Sequence, residues 1–131
     1  MSFSELGLSS AVLRAIEDAG YSEPTPIQQQ AIPYALMGRD VLGCAQTGTG
    51  KTASFTWPMI ETLSTGRARA RMPRSLILTP TRELALQIHE DLRDLAVHTP
   101  ITGAAIIGGV GMGPQEHAFR SGTDVLIATP G

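Results

Sequence analysis

The sequence predicts an α/β domain built on a parallel β-sheet, and three observations support that prediction. Four short apolar runs, three of them nearly continuous, are typical of strands covered on both faces. Stretches with helical periodicity lie between these runs. A glycine-rich loop, residues 45–52, follows the first run and opens a helical stretch. The length of 131 residues suits about one domain.

The four apolar runs are the predicted strands, and Cys44 in the first is expected to be a buried, small apolar residue. Right-handed crossovers are expected between successive parallel strands. In chain order the predicted strands are 40–45, 75–80, 103–109 and 124–131.

Five helices are predicted from periodicity and from start and stop signals. Thr25 and Thr81 are placed as N-caps, and Pro26 suits a first helical position. The helix after Thr81 has one apolar face, formed by Leu84, Ile88, Leu92 and Leu95. In chain order the predicted helices are 9–19, 26–37, 52–63, 82–96 and 114–121.

Composition excludes several protein classes. A single cysteine excludes an internal disulfide framework and fits a reducing compartment, so we expect a cytoplasmic protein. No apolar run approaches the ~20 residues that a membrane helix needs, and we expect no membrane partner. The net charge of −2 argues neither for nor against nucleic acid, because backbone binding can come from individually placed groups.

The loop "AQTGTGKT" predicts a phosphate-binding site. Its pattern departs from the strict P-loop form only in having Ala45 at the first position, where a small residue still permits the tight turn. Gly48 and Gly50 allow successive backbone N–H groups to face the phosphates. Lys51, the only lysine of the chain, would reach the β- and γ-phosphates, and the Thr52 hydroxyl would bind Mg²⁺. The loop by itself indicates nucleotide binding and no particular base.

Gln28 follows the sequence "EPTP" and stands in the first turn of a predicted helix. Its amide carries one acceptor and one donor side by side, which matches the N6 donor and N7 acceptor of adenine. From chemistry alone, a solvated surface glutamine is the preferred interpretation at this point.

Six elements stand in order along the chain: Phe3, "GYSEPTPIQ" (20–28), "AQTGTGKT" (45–52), "PTRELA" (80–85), "GG" (108–109) and "TPG" (129–131). In this order and spacing they resemble the N-terminal part of the first RecA-like domain of a DEAD-box ATP-dependent RNA helicase. The resemblance runs from Phe3 to Gly131, essentially the whole chain.

The resemblance implies a role for each matching residue. Tyr21, in place of the family's usual phenylalanine, would pack against adenine with Phe3 supporting the pocket, and Gln28 would read the base. ATP and Mg²⁺ are therefore the expected cofactors, with Lys51 and Thr52 as the candidate catalytic residues. The phosphate cradle would be formed by Thr47, Gly48, Thr49, Gly50, Lys51 and Thr52.

RNA is the other partner that the resemblance implies, through sequence-independent contacts with its backbone. Without the resemblance, Thr81 reads as a helix cap and Gly108 as a simple turn. The implied RNA-binding residues are Pro80, Thr81, Arg82, Gly108, Gly109, Thr129, Pro130 and Gly131.

The residues that would complete hydrolysis are not in the sequence. The family's Asp-Glu-Ala-Asp tetrad is absent, and the adjacent acids 17–18 and 90–91 lie on predicted polar helix faces. The Ser-Ala-Thr motif and the second RecA-like domain are absent too, so we expect a fragment that binds nucleotide and is inactive alone. We divide it into an N-terminal helical segment, 1–38, and a partial RecA-like domain, 39–131.

Two alternatives belong to other classes of protein. One is a different P-loop ATPase, such as a transporter or DNA motor, and Gln28 together with the 80–85 run argues against it. The other is a non-catalytic RNA-binding module. Lys51 and Thr52 argue against that, because contact with an RNA backbone does not need a phosphate cradle.

Overall fold

The computed structural model describes residues 1–46, 48, 50–64, 73–107 and 123–130. A short 3-10 helix, Phe3–Glu5, opens the chain. Within these ranges, four α-helices and three β-strands follow. They are α1 (Ser10–Asp18), α2 (Pro26–Leu36), α3 (Lys51–Ser64), β1 (Ser75–Leu78), α4 (Arg82–Leu95), β2 (Gly103–Ile106) and β3 (Val125–Ala128).

The three strands form one parallel sheet in the order β1-β3-β2. Val125 of β3 is aligned with Ser75 on one side and with Gly103 on the other. Helix α4 connects β1 to β2 and packs against both β2 and β3. The predicted α/β class with a parallel sheet is therefore confirmed.

A single apolar core joins the helices to the sheet. The core-facing side of α4 differs from the prediction in one residue: Leu84 is 36% exposed, and Ala85 is fully buried instead. Residues 85, 88, 92 and 95 keep the spacing of one helix face, so the stripe starts one position later than expected. The most deeply buried core residues include Val12, Ile16, Ile32, Trp57, Ile60, Leu92, Val125 and Ile127.

The prediction of a strand over 40–45 was wrong. These residues form no strand, Leu42 is 94% exposed, and Cys44 is exposed rather than buried. A strand needs a neighbour for its backbone N–H and C=O groups, and the described part of the chain pairs no strand with this segment. An apolar run alone therefore does not produce a strand here.

The remaining elements keep their predicted types, with shorter strands. Each observed strand has four residues, and the four predicted helices that fall in the described ranges begin and end within one residue of their expected positions. The predicted helix 114–121 lies outside the described residues, as do the ends of the third and fourth predicted strands.

Candidate nucleotide-binding site

The two glycines of the phosphate loop both have positive φ. Gly48 has φ 83° and Gly50 has φ 84°, both in the left-handed region that favours glycine. Gly50 is also confined by space, because a Cβ there would lie 2.3 Å from the Gln28 side-chain nitrogen. Thr47 and Thr49 lie outside the described residues.

Helix α3 begins directly after this loop, at Lys51. The N–H of Ser54 donates to the carbonyl oxygen of Gly50 at 3.1 Å and closes the first helical turn. Lys51 and Thr52 are the first two residues of the helix, so both side chains stand at its N-terminus. Lys51 is exposed and Thr52 is half-buried. The N–H groups of a helix's first turn lack intrahelical partners and favour an anion there.

Gln28 is held in the first turn of α2 by a reciprocal cap. The backbone N–H of Thr25 donates to Gln28 Oε1 at 3.0 Å, and Thr25 Oγ1 accepts from the backbone N–H of Gln28 at 3.5 Å. The rigid first turn expected from the sequence is therefore present. Gln28 is fully buried, with 0% of its surface exposed, so the solvated-surface interpretation is excluded for this structure.

The Gln28 amide also bonds to the phosphate loop. Its Nε2 donates to the carbonyl oxygen of Gly50 at 3.3 Å, across 22 positions of sequence. Neither this contact nor the reciprocal cap was predicted from the sequence. The cap had a readable signal, because Thr-x-x-Gln is a capping-box pattern.

Three aromatic rings form a second cluster beside α3. Trp57 contacts Phe3 on one side, with ring centroids 5.2 Å apart, and Tyr21 on the other, with centroids 5.1 Å apart. Both contacts are edge-to-face, with interplanar angles of 88° and 90°. Phe3 and Trp57 are buried, whereas Tyr21 is 42% exposed. The structure thus connects Phe3 and Tyr21 through Trp57, which the sequence analysis did not single out.

An open cleft of about 510 Å³ lies beside Tyr21 and is lined also by Phe3, Ile16 and Gly20. Gln28 does not line it. The aromatic cluster and the Gln28–loop contact are therefore separate features. Both involve α3 or the loop that leads into it.

The described RNA-binding candidates stand at one edge of the sheet. Pro80 and Thr81 follow β1, and Thr129 and Pro130 follow β3, the adjacent parallel strand. The carboxyl ends of parallel strands meet at the same edge, where ligands of open α/β sheets bind. Thr81 Oγ1 accepts from the N–H of Leu84 at 3.2 Å, which confirms the N-cap. Gly108, Gly109 and Gly131 lie outside the described residues.

Helix α4 carries a carboxyl group with a raised pKa. Burial first, and then the carboxylates of Asp94 and Glu90, raise the pKa of Asp91 above its ordinary value. Across the described ranges, no three His, Cys, Asp or Glu residues are grouped so that they could hold a metal ion. None of the described helices is long and apolar enough to cross a bilayer.

Comparison of the sequence with models of protein families decides which family the chain belongs to. The model of a family described as DEAD/DEAH box helicase matches residues 25–131. The chain belongs to the DEAD/DEAH box helicase family. The match includes Gln28, the phosphate loop and the described segments at the carboxyl edge of the sheet. The resemblance read from the sequence is confirmed.

Individual DEAD-box helicases are similar over nearly the whole chain. DEAD-box ATP-dependent RNA helicase 28 of Oryza sativa subsp. japonica is 52% identical over 130 residues, which are 99% of this chain and 16% of the rice protein. ATP-dependent RNA helicase SrmB of Escherichia coli (strain K12) is 48% identical over 130 residues, 98% of this chain and 29% of SrmB. The chain therefore spans less than a third of the length of these relatives.

A solved structure supports the same fold. The crystal structure of the RNA helicase Prp28 from Chaetomium thermophilum bound to ADP has a TM-score of 0.90 and 42% sequence identity with this chain. The match covers 98% of this DEAD-box chain and 32% of the Prp28 chain. The fold is thus part of a RecA-like P-loop domain.

Proposed function

We propose that this chain is the adenine-nucleotide-binding part of an ATP-dependent RNA helicase. The observation that supports this best is the hydrogen bond from Gln28 Nε2 to the carbonyl oxygen of Gly50. It joins the helix that carries the candidate base-reading residue to the loop that carries the candidate phosphate-binding groups. To bind one nucleotide, the base site and the phosphate site must keep a constant position relative to each other. The hydrogen bond between Gln28 and Gly50 holds the two sites in such a position.

The hydrogen-bonding capacity of Gln28 fits adenine. Its amide has two acceptor and two donor positions, and the bonds to Thr25 and Gly50 use one of each. One acceptor and one donor remain, which is the pair that adenine N6 and N7 require. Guanine offers an acceptor, O6, where adenine has the N6 donor. Because Gln28 is fully buried, the groups that cover it must move aside when a base binds.

Tyr21 is the proposed stacking surface for the base. Its ring is partly exposed and makes an edge-to-face contact with Trp57. An aromatic ring with one accessible side is a sequence-tolerant platform for a nucleobase. Phe3 supports the same cluster from within the core.

The phosphates are proposed to bind at the N-terminus of α3. Lys51 would contact the β- and γ-phosphates, and the cradle would extend over Thr47, Gly48, Thr49 and Gly50. Mg²⁺ fits as an ion held largely by the nucleotide's own phosphates, because Thr52 supplies one hydroxyl oxygen and the described residues contain no acidic cluster. Bound there, Mg²⁺ would neutralise developing charge on the phosphates.

Hydrolysis by the 131-residue chain alone is not expected. The sequence has no Asp-Glu-Ala-Asp, and the described residues contain no group of three or more His, Cys, Asp or Glu that could hold a metal ion. The full helicase would also need a second RecA-like domain. A cytoplasmic location and the division of the chain at residue 38 stay predictions.

RNA is proposed to cross the carboxyl edge of the sheet. The edge presents Pro80, Thr81 and Arg82 after β1, and Thr129 with Pro130 after β3. Hydroxyl, guanidinium and backbone N–H donors suit phosphate oxygens and do not read base edges, so the contact would be sequence-independent. Gly108, Gly109 and Gly131 belong to the same proposal.

The test is a comparison of ADP and GDP binding by calorimetry. We expect the wild-type chain to prefer ADP by about fivefold to a hundredfold, the range that corresponds to one bidentate base contact. Gln28→Ala should remove the preference. Gln30→Ala is the matched control, because Gln30 is an exposed glutamine on the same helix. Equal affinity of the wild type for both nucleotides would refute the base-reading role.

A further inference from the structure

The ring of Tyr21 is held by a side chain on the phosphate-binding helix. Trp57, fully buried, contacts the Tyr21 ring edge-to-face, and Phe3 packs on the indole from the other side. The Tyr21 backbone is separately anchored, because its N–H donates to the carbonyl oxygen of Ile16 at 3.2 Å. Trp57 therefore supplies the ring–ring contact that restrains the Tyr21 side chain.

Trp57 lies on α3, the same helix that begins with Lys51 and Thr52. Residues on one α-helix keep a nearly constant separation, since the backbone hydrogen bonds tie successive turns together. The Tyr21 ring is thus positioned relative to the proposed phosphate-binding groups by one rigid element.

The buried indole of Trp57 leaves one polar group without a hydrogen bond among the described residues. Its Nε1 is buried, and no acceptor in the described part of the chain lies within hydrogen-bonding distance of it. A phenylalanine would avoid that unsatisfied donor. What the indole adds is a larger ring system that contacts Phe3 and Tyr21 at once, and edge-to-face pairs are favourable beyond the area they bury.

We propose that Trp57 is a positioning residue for nucleotide binding: it orients the Tyr21 ring so that its accessible side receives the adenine base. Trp57 does not touch the nucleotide and acts only through Tyr21. The inference rests on the proposed stacking role of Tyr21.

The test separates base binding from phosphate binding. ADP and inorganic pyrophosphate are titrated calorimetrically into wild type, Trp57→Leu, Trp57→Phe and Tyr21→Leu. We expect Trp57→Leu to weaken ADP binding by about threefold to tenfold, the range expected from loss of one aromatic pair, with pyrophosphate affinity unchanged. Trp57→Phe keeps an aromatic edge and should weaken ADP binding by less than threefold. As the more conservative change, it keeps the test usable if Trp57→Leu does not fold. Phe55→Leu is the control, because Phe55 is a half-exposed aromatic on the same helix with no described ring contact to Tyr21.

A double variant identifies the route of the effect. Tyr21→Leu combined with Trp57→Leu should bind ADP no more weakly than Tyr21→Leu alone, since Trp57 acts through that ring. In the wild type, Trp57 is the only tryptophan, so its emission should change with ADP and not with pyrophosphate.

Three results would contradict the inference about Trp57, each for a different reason. Equal losses for ADP and pyrophosphate in both Trp57 variants would make the residue merely structural and overturn the inference. Unchanged ADP affinity in Trp57→Leu, alongside weakened binding in Tyr21→Leu, would overturn it while leaving the base-stacking proposal intact. Unchanged ADP affinity in Tyr21→Leu would overturn the stacking role, and the inference about Trp57 with it.

Discussion

The side-chain amide of Gln28 donates to the carbonyl oxygen of Gly50 at 3.3 Å, so the first turn of α2 is bonded to the residue that precedes α3. Gln28 is fully buried, which shields this bond from exchange with water. The Gly50 α-carbon faces the same amide closely enough that no side chain fits between them. The contact therefore requires a glycine on one side and a capped, immobilised amide on the other.

Gly50→Ala should destabilise the chain for two reasons. The left-handed conformation costs an alanine about 1–2 kcal/mol, and the added Cβ would lie 2.3 Å from Gln28 Nε2. Gly38→Ala is the control, because Gly38 also has a positive φ, 76°, but open space around its Cβ position. Urea unfolding should show a larger loss for Gly50→Ala than for Gly38→Ala.

The excess loss should depend on Gln28. In a Gln28→Ala background the clash is gone, so Gly50→Ala should cost only its backbone strain, about as much as Gly38→Ala. Strict additivity of Gly50→Ala and Gln28→Ala in a double-mutant cycle would show that the two residues do not interact.

Thr81 should matter for stability in the absence of RNA. Its hydroxyl caps α4 by accepting from the N–H of Leu84, and loss of such a cap costs about 0.5–2 kcal/mol. We expect Thr81→Ala to lower the free energy of unfolding by about that amount and Thr81→Ser to retain most of it. If Thr81→Ala left urea unfolding unchanged, the cap would contribute nothing.

Asp124, whose side chain is largely buried, should contribute strongly to stability. Its carboxylate accepts from Arg74 Nη2 at 3.2 Å and from the N–H of Thr102 at 3.1 Å, and Arg74 also donates to the carbonyl oxygen of Leu63. We expect Asp124→Ala to cost about 1.5–3 kcal/mol, because hydrogen bonds to a charged, largely buried group are lost.

The matched comparison for Asp124 is the exposed pair of Asp18 and His98, which also links residues distant in sequence. Asp18→Ala should cost less than about 1 kcal/mol, since exposed ion pairs are weak. Equal costs for Asp124→Ala and Asp18→Ala in chemical denaturation would contradict the assignment of Asp124 as a buried link between strands.

Asp91 should make stability depend on pH. Its pKa is raised in the folded chain, by burial first and then by Asp94 and Glu90, from an unfolded value near 3.8. The stability that Asp91 contributes is therefore complete below the unfolded pKa and is lost as the pH rises through the folded one. Asp91→Asn should raise the free energy of unfolding at pH 7, and relief of the i, i+3 repulsion with Asp94 alone should contribute about 0.2–0.5 kcal/mol.

Thermal unfolding over a pH series tests that prediction. The gain from Asp91→Asn should shrink toward zero as the pH falls toward 3.8, where the aspartate is itself neutral. Asp40→Asn, at an exposed position outside α4, should show no comparable trend. A gain that stays constant across the series would rule out titration of Asp91 as its cause.

Local interactions were predictable from the sequence. The caps at Thr25 and Thr81 and the helix boundaries matched the structure, and the glycines expected to bend the phosphate loop, Gly48 and Gly50, have positive φ. Each depends on atoms within a few residues of the position concerned, so the sequence pattern contains the necessary information. The family, too, was recognisable from ordered motifs alone.

Pairing and burial depended on residues far apart in the chain. The apolar run 40–45 has strand character but no strand beside it in the described structure. The position of the apolar stripe on α4 depended on whether Leu84 or Ala85 faces the core. The contacts of Gln28 with Gly50, and of Trp57 with Phe3 and Tyr21, arise only when separate segments pack together. The sequence by itself determined the helices, the turns and the membership of the family. Which side chains meet beside α3 was decided by tertiary packing, because hydrogen bonding and close packing between distant segments are properties of the assembled core.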